Sequence, residues 1–123
     1  MTYRVILQPR AEREIQRYAY WLLEQSKSST TASKWVRGIR SKIATLKTNP
    51  HRCPVDPDSD AYGQKVHVLL YGKKRGVHRV LFVIRKSEVH ILTVRHAAQR
   101  SLAEEMGLDE TDEEPSDSSP PTN

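Results

Sequence analysis

The apolar and polar positions in the first half of the chain predict a strand followed by a helical hairpin. The β-rich run Tyr3–Leu7 predicts the first strand. Apolar residues then recur at helical spacing across Ala11–Leu22 and again across Ala32–Leu46, which predicts two amphipathic helices joined by a short polar link. Pro9 suits the first turn of the first helix, and Pro50 ends the second periodic segment.

The apolar pattern of the second half predicts three strands, Lys65–Tyr71, Val77–Arg85 and Val89–Arg95. The last two flank a short polar turn, which is typical of an antiparallel hairpin. The run Val80–Ile84 is apolar on both sides and therefore suits a central strand that is covered on both faces. The order β-α-α-β-β-β predicts an α+β domain, with the helical hairpin packed on one face of a small, mostly antiparallel sheet.

Charge is divided sharply along the 123 residues of the chain. All 20 Lys and Arg residues but only seven of the 15 acidic residues lie within residues 1–100, so this part carries a formal charge of +13. The other eight acids give residues 101–123 a charge of −8. A domain this basic is expected to bind an acidic partner, such as nucleic acid, the ribosome, an acidic protein or its own tail. We assign residues 1–102 to one folded domain and residues 103–123 to an acidic, Ser/Pro-rich disordered tail.

Residues that usually bind metals or cofactors are few or badly spaced. The single cysteine, Cys53, excludes an internal disulfide, and no run approaches the ~20 apolar residues that cross a bilayer, so a soluble protein of the reducing cytoplasm is expected. None of the five histidines pair at the helical i, i+4 spacing, and we expect no metal site. The chain also has no glycine-rich phosphate loop, and we expect no cofactor.

Two arginines lie in the apolar strands of the predicted β-hairpin. Arg79 and Arg95 are costly inside a small sheet unless they face water, a partner or an anionic ligand. With His96, Arg100 and Arg75 of the neighbouring basic turn, they form a candidate patch for binding a target. Whether the two strand arginines share a face depends on strand register, which the sequence does not give. Solvation or local ion pairing is the alternative, although the core has few acids to pair with them.

Several motifs follow one another in a particular order through residues 3–102. They are the segment Tyr3–Ile15, a helical hairpin whose second helix opens with Trp35, Asn-Pro at 49–50, and the strands Gly76–Ile84 and Ile91–Ala98. This order resembles the RelE/ParE superfamily of toxins from bacterial type II toxin–antitoxin modules. The resemblance is nearer to the ParE, or plasmid-stabilisation, branch, and it implies the α+β fold predicted above.

The ParE branch implies a toxin that inhibits DNA gyrase by binding it and is neutralised by a cognate antitoxin. Such a protein performs no chemistry of its own, and its target would contact the basic strand ends and the C-terminal segment. Antitoxins of the superfamily wrap their toxins with helix and strand segments. If they are exposed together, Trp21, Leu23 and Trp35 are candidates for a groove that receives such a segment, and packing between the helices is the alternative.

The RelE branch implies another activity, the metal-free cleavage of messenger RNA on the ribosome. In that case Arg79 matches the strand arginine that holds the phosphate, and Lys65 lies near a basic strand position. His78, which replaces a tyrosine of the pattern, is a candidate for proton transfer, together with His96 and His67.

The chain departs from the RelE pattern after its last strand. The catalytic tyrosine of that branch has no counterpart, because Ala98–Met106 contains no tyrosine. This departure favours target binding over nuclease activity. A third alternative is a degenerate member that keeps the fold, lacks toxicity and binds only an antitoxin.

Overall fold

The computed structural model describes residues 2–73 and 76–96. A strand, two helices and three strands follow one another in the predicted order: β1 (Arg4–Leu7), α1 (Pro9–Ser26), α2 (Ser29–Ala44), β2 (His67–Tyr71), β3 (His78–Arg85) and β4 (Glu88–His96). Three short 3₁₀ turns lie between α2 and β2, at Thr45–Lys47, Pro50–Arg52 and Ser59–Tyr62. The predicted acidic tail lies outside the described residues.

Local signals set the link between the two helices. α1 begins at Pro9, where a missing N–H costs nothing, and it ends before Lys27, which has the left-handed φ of 56° that closes many helices. The hydroxyl of the next residue, Ser28, accepts the N–H of Thr31 at 3.1 Å and caps α2. A two-residue link therefore reverses the chain, as predicted. No helix in the described ranges has both the length and the apolar character needed to cross a bilayer.

The four strands form one mixed sheet in the order β1-β4-β3-β2. β1 runs parallel to β4, and the other neighbouring strands are antiparallel. The predicted hairpin is the β3–β4 pair, whose tight turn places Lys86 at a φ of 55°. A bulge between Leu81 and Phe82 shifts the register of this pair. The α+β fold with a mostly antiparallel sheet is confirmed.

Both faces of the sheet bury apolar side chains. The main core lies between the sheet and the helical hairpin and contains Ala11, Ile15, Ile39, Ile43, Leu46, Cys53, Leu69, Val80, Phe82, Val89, Ile91 and Val94. A smaller cluster on the other face contains Val66, Leu81 and Val83. β3 contributes to both clusters and is therefore the doubly covered central strand that its sequence predicts.

Two predicted positions shift by a few residues. β2 begins at His67 and not at Lys65. α2 begins at Ser29, so Trp35 lies in the second turn of that helix and does not open it. Neither shift changes the topology, because both fall at element ends, where local signals are weakest.

Candidate functional site

The two strand arginines lie opposite each other at the open end of the β3–β4 pair. Arg79 pairs with Arg95 in the antiparallel register, next to the pair formed by Val80 and Val94. Those valines face the helices, and because side chains alternate along a strand, both arginines face the other way. Arg79 is half-buried, whereas Arg95 is only 1 % exposed. Like charges placed directly opposite each other are destabilising unless other groups offset them.

A tyrosine without any periodic sequence signal lies near both arginines. Tyr62 ends the 3₁₀ turn before β2 and packs against the smaller apolar cluster on the same face of the sheet. Burial raises the pKa of Tyr62, and the carboxylates of Asp56 and Asp58 raise it further, while the two arginines oppose the shift. The hydroxyl therefore keeps its proton at neutral pH and can donate a hydrogen bond. The only sequence signal for Tyr62 is that it is the one Phe, Tyr or Trp residue in the polar segment 51–63.

His78 and His96 lie on the opposite face, in a cluster of rings beneath the helical hairpin. The ring of Tyr18 lies 4.2 Å from that of His78 and 4.5 Å from that of Trp35, measured between centroids. The rings of His78 and His96 are 5.1 Å apart, and Trp21 lies 5.3 Å from Tyr18. We call these five residues the ring cluster. Its members hold the two helices to the ends of β3 and β4.

His78 is a buried, neutral member of this cluster. It is 1 % exposed, and its Nδ1 lies 3.1 Å from the carbonyl oxygen of Gly76, which assigns the proton to Nδ1. Desolvation, followed by the charge of His96, lowers the pKa of His78 to about 4. No hydrogen-bond partner of Nε2 is found in the part of the chain that the structure describes. His78 is thus a packing residue with one unused acceptor.

The remaining nuclease candidates lie near the start of β2. His67 is buried, with its ring 5.4 Å from that of Phe82 and its Nδ1 2.9 Å from the carbonyl oxygen of Cys53. Lys65 is exposed two residues earlier. Within residues 2–73 and 76–96, no three His, Cys, Asp or Glu side chains come together in a group that could hold a metal ion.

The candidates for phosphate binding and proton transfer do not converge. His78 and Arg79 are consecutive strand residues and therefore point to opposite faces of the sheet. His67 pairs with Phe82, whereas His78 pairs with Tyr71, four residues further along β2. This separation corresponds to about 13 Å along the strand. No candidate histidine shares a site with Arg79.

The residues assigned to the target patch are only partly brought together. Arg79 and Arg95 share one face, and His96 lies half-buried in the ring cluster on the other. Arg75 and Arg100 lie outside the described residues. Burial of Arg95 leaves Arg79 as the member of the pair that solvent reaches.

The three candidates for antitoxin binding do not form one surface. Trp21 and Trp35 belong to the ring cluster, whereas Leu23 lies in an open groove of about 800 Å³ between α1 and α2. We call this the hairpin groove. Its apolar lining consists of Ile15, Ala19, Tyr20, Leu23, Ala32 and Val36. Arg37 and Arg40 also line the groove, and Arg40 forms an ion pair with Glu12.

Residues 5–101 match the family model of the ParE toxin of the type II toxin–antitoxin system parDE. The chain belongs to this family. The resemblance to the RelE/ParE superfamily is thereby confirmed. Membership as a ParE-type toxin also implies an antitoxin partner.

Among solved structures, this ParE-type toxin is similar to a chain of the chromosomal ParDE toxin–antitoxin system from P. aeruginosa. The two share 16% sequence identity with a TM-score of 0.61, over 77% of this chain and 96% of the other. At this identity the likeness concerns the fold. No curated protein matches the chain in sequence.

Proposed function

We propose that this ParE-type toxin inhibits DNA gyrase by binding it, without cleaving nucleic acid, and that a cognate antitoxin neutralises it. The observation that carries the proposal is the separation of Arg79 from every candidate histidine. A metal-free nuclease needs a phosphate-holding cation and a proton-transfer group at the same phosphodiester. A protein that only binds its target needs the cation and a complementary surface.

The target surface is centred on Arg79. Arg95 lies opposite it and adds a second positive charge, and the protonated hydroxyl of Tyr62 supplies a further donor nearby. Donors and cations without a base suit an acidic segment of a protein target. Arg75 and Arg100 extend this surface in the proposal. The +13 charge of residues 1–100 accelerates the encounter with such a target.

The antitoxin surface is the hairpin groove. Leu23, Val36 and the 66 % exposed Tyr20 offer an apolar strip of the kind that binds an amphipathic helix. Arg37 adds a cation at the edge of the strip. Trp21 and Trp35 contribute indirectly, because the ring cluster fixes the two helices that form the groove.

The test uses purified protein with purified DNA gyrase and supercoiled plasmid, and in parallel with translating ribosomes and messenger RNA. We expect trapped DNA cleavage or loss of supercoiling with gyrase, and intact messenger RNA. Arg79→Ala should weaken the effect on gyrase about tenfold or more, as loss of a central interface arginine does. Arg85→Ala is the matched control, because Arg85 is exposed at the other end of β3 and contacts only the side chain of Gln64 at 3.2 Å among the described hydrogen bonds.

The alternatives give different results in the same assays. Cut messenger RNA with unaffected gyrase would establish the RelE-type activity and overturn the proposal. Inactivity in both assays would identify a degenerate member. In cells, induction of the DNA-damage response distinguishes gyrase poisoning from the rapid translation arrest that a nuclease causes.

A further inference from the structure

Among the exposed large hydrophobic residues that the structure describes, Tyr20 is the one that lies in the helical hairpin, and it lines the hairpin groove. Tyr20 is 66 % exposed at its edge, while Ile15 and Ala32 at its base are buried. An apolar groove between two helices has the shape that receives an amphipathic segment. In the absence of an antitoxin, another segment can occupy the hairpin groove.

The helices around the groove carry mostly positive charge. α1 and α2 contain three acids, of which Glu14 is buried, and seven basic residues: Arg10, Arg13, Arg17, Lys34, Arg37, Arg40 and Lys42. Among the described ion pairs, none involves Arg37, which lines the groove. An apolar strip with a basic edge favours an amphipathic segment that carries negative charge.

The chain contains such a segment in its own C-terminal region. Leu102 and Met106 are four residues apart, which is the spacing of neighbours on one side of a helix, and Glu104 and Glu105 lie between them. Ser101 with Glu104 has the spacing of a capping box, the signal that opens many helices. A helix this short is not stable alone in water, so the pattern suits one that forms on a surface.

The distance to the groove is within reach of this segment. β4 ends at His96, whose ring lies 6.1 Å from that of Tyr18 in α1, so the last described residue lies beside α1. Five residues lie between His96 and Leu102, and the six steps along the chain span up to about 20 Å when extended. A helix with its side chains is about 10–12 Å across, so the chain can pass around α1.

We propose that residues Leu102–Asp109 dock in the hairpin groove and compete there with the antitoxin, an inference that rests on the antitoxin site proposed above. Leu102 and Met106 contact the apolar strip, and Glu104 and Glu105 face the basic edge. Tethering gives the segment an effective concentration in the millimolar range, which a second copy of the protein does not reach in dilute solution. A second copy would also bring another strongly basic core to a basic surface.

The test places a nitroxide spin label on the full chain through Asp109→Cys and measures the intensity of backbone amide resonances. Cys53 is 6 % exposed and burial raises the pKa of its thiol, so the unsubstituted chain serves as the labelling blank. We expect selective loss of intensity at groove residues such as Ala19, Leu23 and Val36, and little loss in β1. Raising the salt to about 1 M, where the Debye length is about 3 Å, should weaken the loss without abolishing it, because apolar contacts remain.

Substitutions in the tail and in the groove distinguish specific docking of the tail from random encounters of the spin label with the groove. Leu102→Ser with Met106→Ser keeps the tail charge and should restore the groove resonances. Tyr20→Glu adds a negative charge at an exposed position of the groove and should do the same, whereas Tyr20→Phe should leave the loss unchanged.

Other patterns would overturn the proposal. Loss of intensity around Arg79, or none that is selective, would show that the tail lies elsewhere or stays free. Loss at the groove of an unlabelled, isotope-enriched copy mixed with a labelled one would identify a second copy as the occupant. None of these measurements involves gyrase or an antitoxin, so failure of the docking inference and failure of the proposed function are distinguishable.

Discussion

At the scale of single residues, the carboxylate of Glu14 accepts hydrogen bonds from the part of β4 that extends beyond the end of β1. β1 stops at Leu7, and the next part of β4 has no strand beside it on that edge within the described sheet. There Oε1 of Glu14 accepts the backbone N–H of Val94 at 2.9 Å and the hydroxyl of Thr93 at 2.7 Å. A side chain of α1 thus pairs the hydrogen-bond donors at this edge of β4, the strand that carries Arg95, and holds β4 against α1.

Glu14→Ala should lower the free energy of unfolding by about 3 kcal/mol, because it removes two hydrogen bonds to a charged acceptor and leaves buried donors unpaired. Glu24→Ala is the matched control in the same helix. Its carboxylate is exposed and lies 3.8 Å from Nζ of Lys27, so its loss should cost about 0.5 kcal/mol or less. Urea unfolding followed by circular dichroism measures both values, and similar costs for the two variants would contradict the role given to Glu14.

The buried imidazole of His78 makes stability depend on pH. Its pKa is lowered from 6.5 to about 4 in the folded chain, so between these values the unfolded chain binds a proton that the folded chain does not. Stability is therefore unaffected above pH 6.5 and falls as the pH decreases towards 4, by up to about 3 kcal/mol from this group. His96 and Tyr18 are the titratable groups whose rings contact that of His78.

His78→Phe should flatten this part of the stability profile. The variant keeps a ring in the cluster and removes the titrating group, at the expense of the hydrogen bond to Gly76. The free energy of unfolding of both proteins is measured from pH 7 to pH 4.5. In the difference between the two curves, the contributions of the titratable groups that they share subtract out. A difference that does not change with pH would refute the assignment of a neutral, buried His78.

At the scale of elements, the sequence predicts what is local and misses what is long-range. Both helices and the β3–β4 hairpin follow from periodicity and turn residues, which act within a few positions. The parallel pairing of β1 with β4 joins residues as distant as Arg4 and Glu88, and no local signal encodes it. The face shared by Arg79 and Arg95 depends on the same kind of register information.

The candidate site shows the same division. The strand arginines stand out because charged residues interrupt apolar runs, so the sequence predicts them as candidates for binding negative charge. Tyr62 gives no such signal, since it packs on the same face of the sheet from a loop whose path depends on tertiary contacts. Trp21 and Trp35 lie off the apolar stripes, and only the packing of α1 and α2 against β3 and β4 assigns them to the ring cluster instead of the groove.

Close contact between α2 and β2 should reverse the usual effect of replacing a helical glycine. Gly→Ala within a helix normally stabilises by about 1 kcal/mol. A Cβ at Gly38 would overlap the hydroxyl of Tyr71, which donates to the carbonyl oxygen of Trp35 at 3.4 Å. Gly38→Ala should therefore be neutral or destabilising in the natural sequence.

The same substitution should stabilise once the tyrosine ring is removed. In a Tyr71→Val background, Gly38→Ala should recover the gain of about 1 kcal/mol, which makes the two changes non-additive. Thermal or urea unfolding of the four proteins of this cycle measures the coupling. Additive effects would mean that Tyr71 moves aside freely and that the helix–strand contact is loose.

At the scale of the whole molecule, the two proposed binding surfaces lie on different sides of the sheet. Arg79 faces away from the helices, and the hairpin groove lies in the helical layer. An antitoxin that occupied only the groove would leave Arg79 uncovered. Under the proposed function, neutralisation therefore requires a partner that extends around the sheet, or one whose own charge offsets the basic face.

The division into a folded core and an acidic tail can be tested on the full chain with a glutamate-specific protease. In the core, Glu14 is buried, Glu12 is paired with Arg40, and Glu24 and Glu88 lie within a helix and a strand. Proteases need an extended, accessible backbone, so cleavage should be confined to the tail. Its glutamates are Glu104, Glu105, Glu110, Glu113 and Glu114.

The order of the cuts tests the domain boundary and the docking of the tail together. Cleavage after Glu110, Glu113 and Glu114 should come first, and cleavage after Glu104 and Glu105 should be slower, because the groove protects that segment. Leu102→Ser with Met106→Ser should remove the delay and leave the first cuts unchanged. A time course by intact-mass spectrometry follows each product. Early cleavage within α1 would contradict the folded core, whereas equal rates at all tail sites would contradict only the docking.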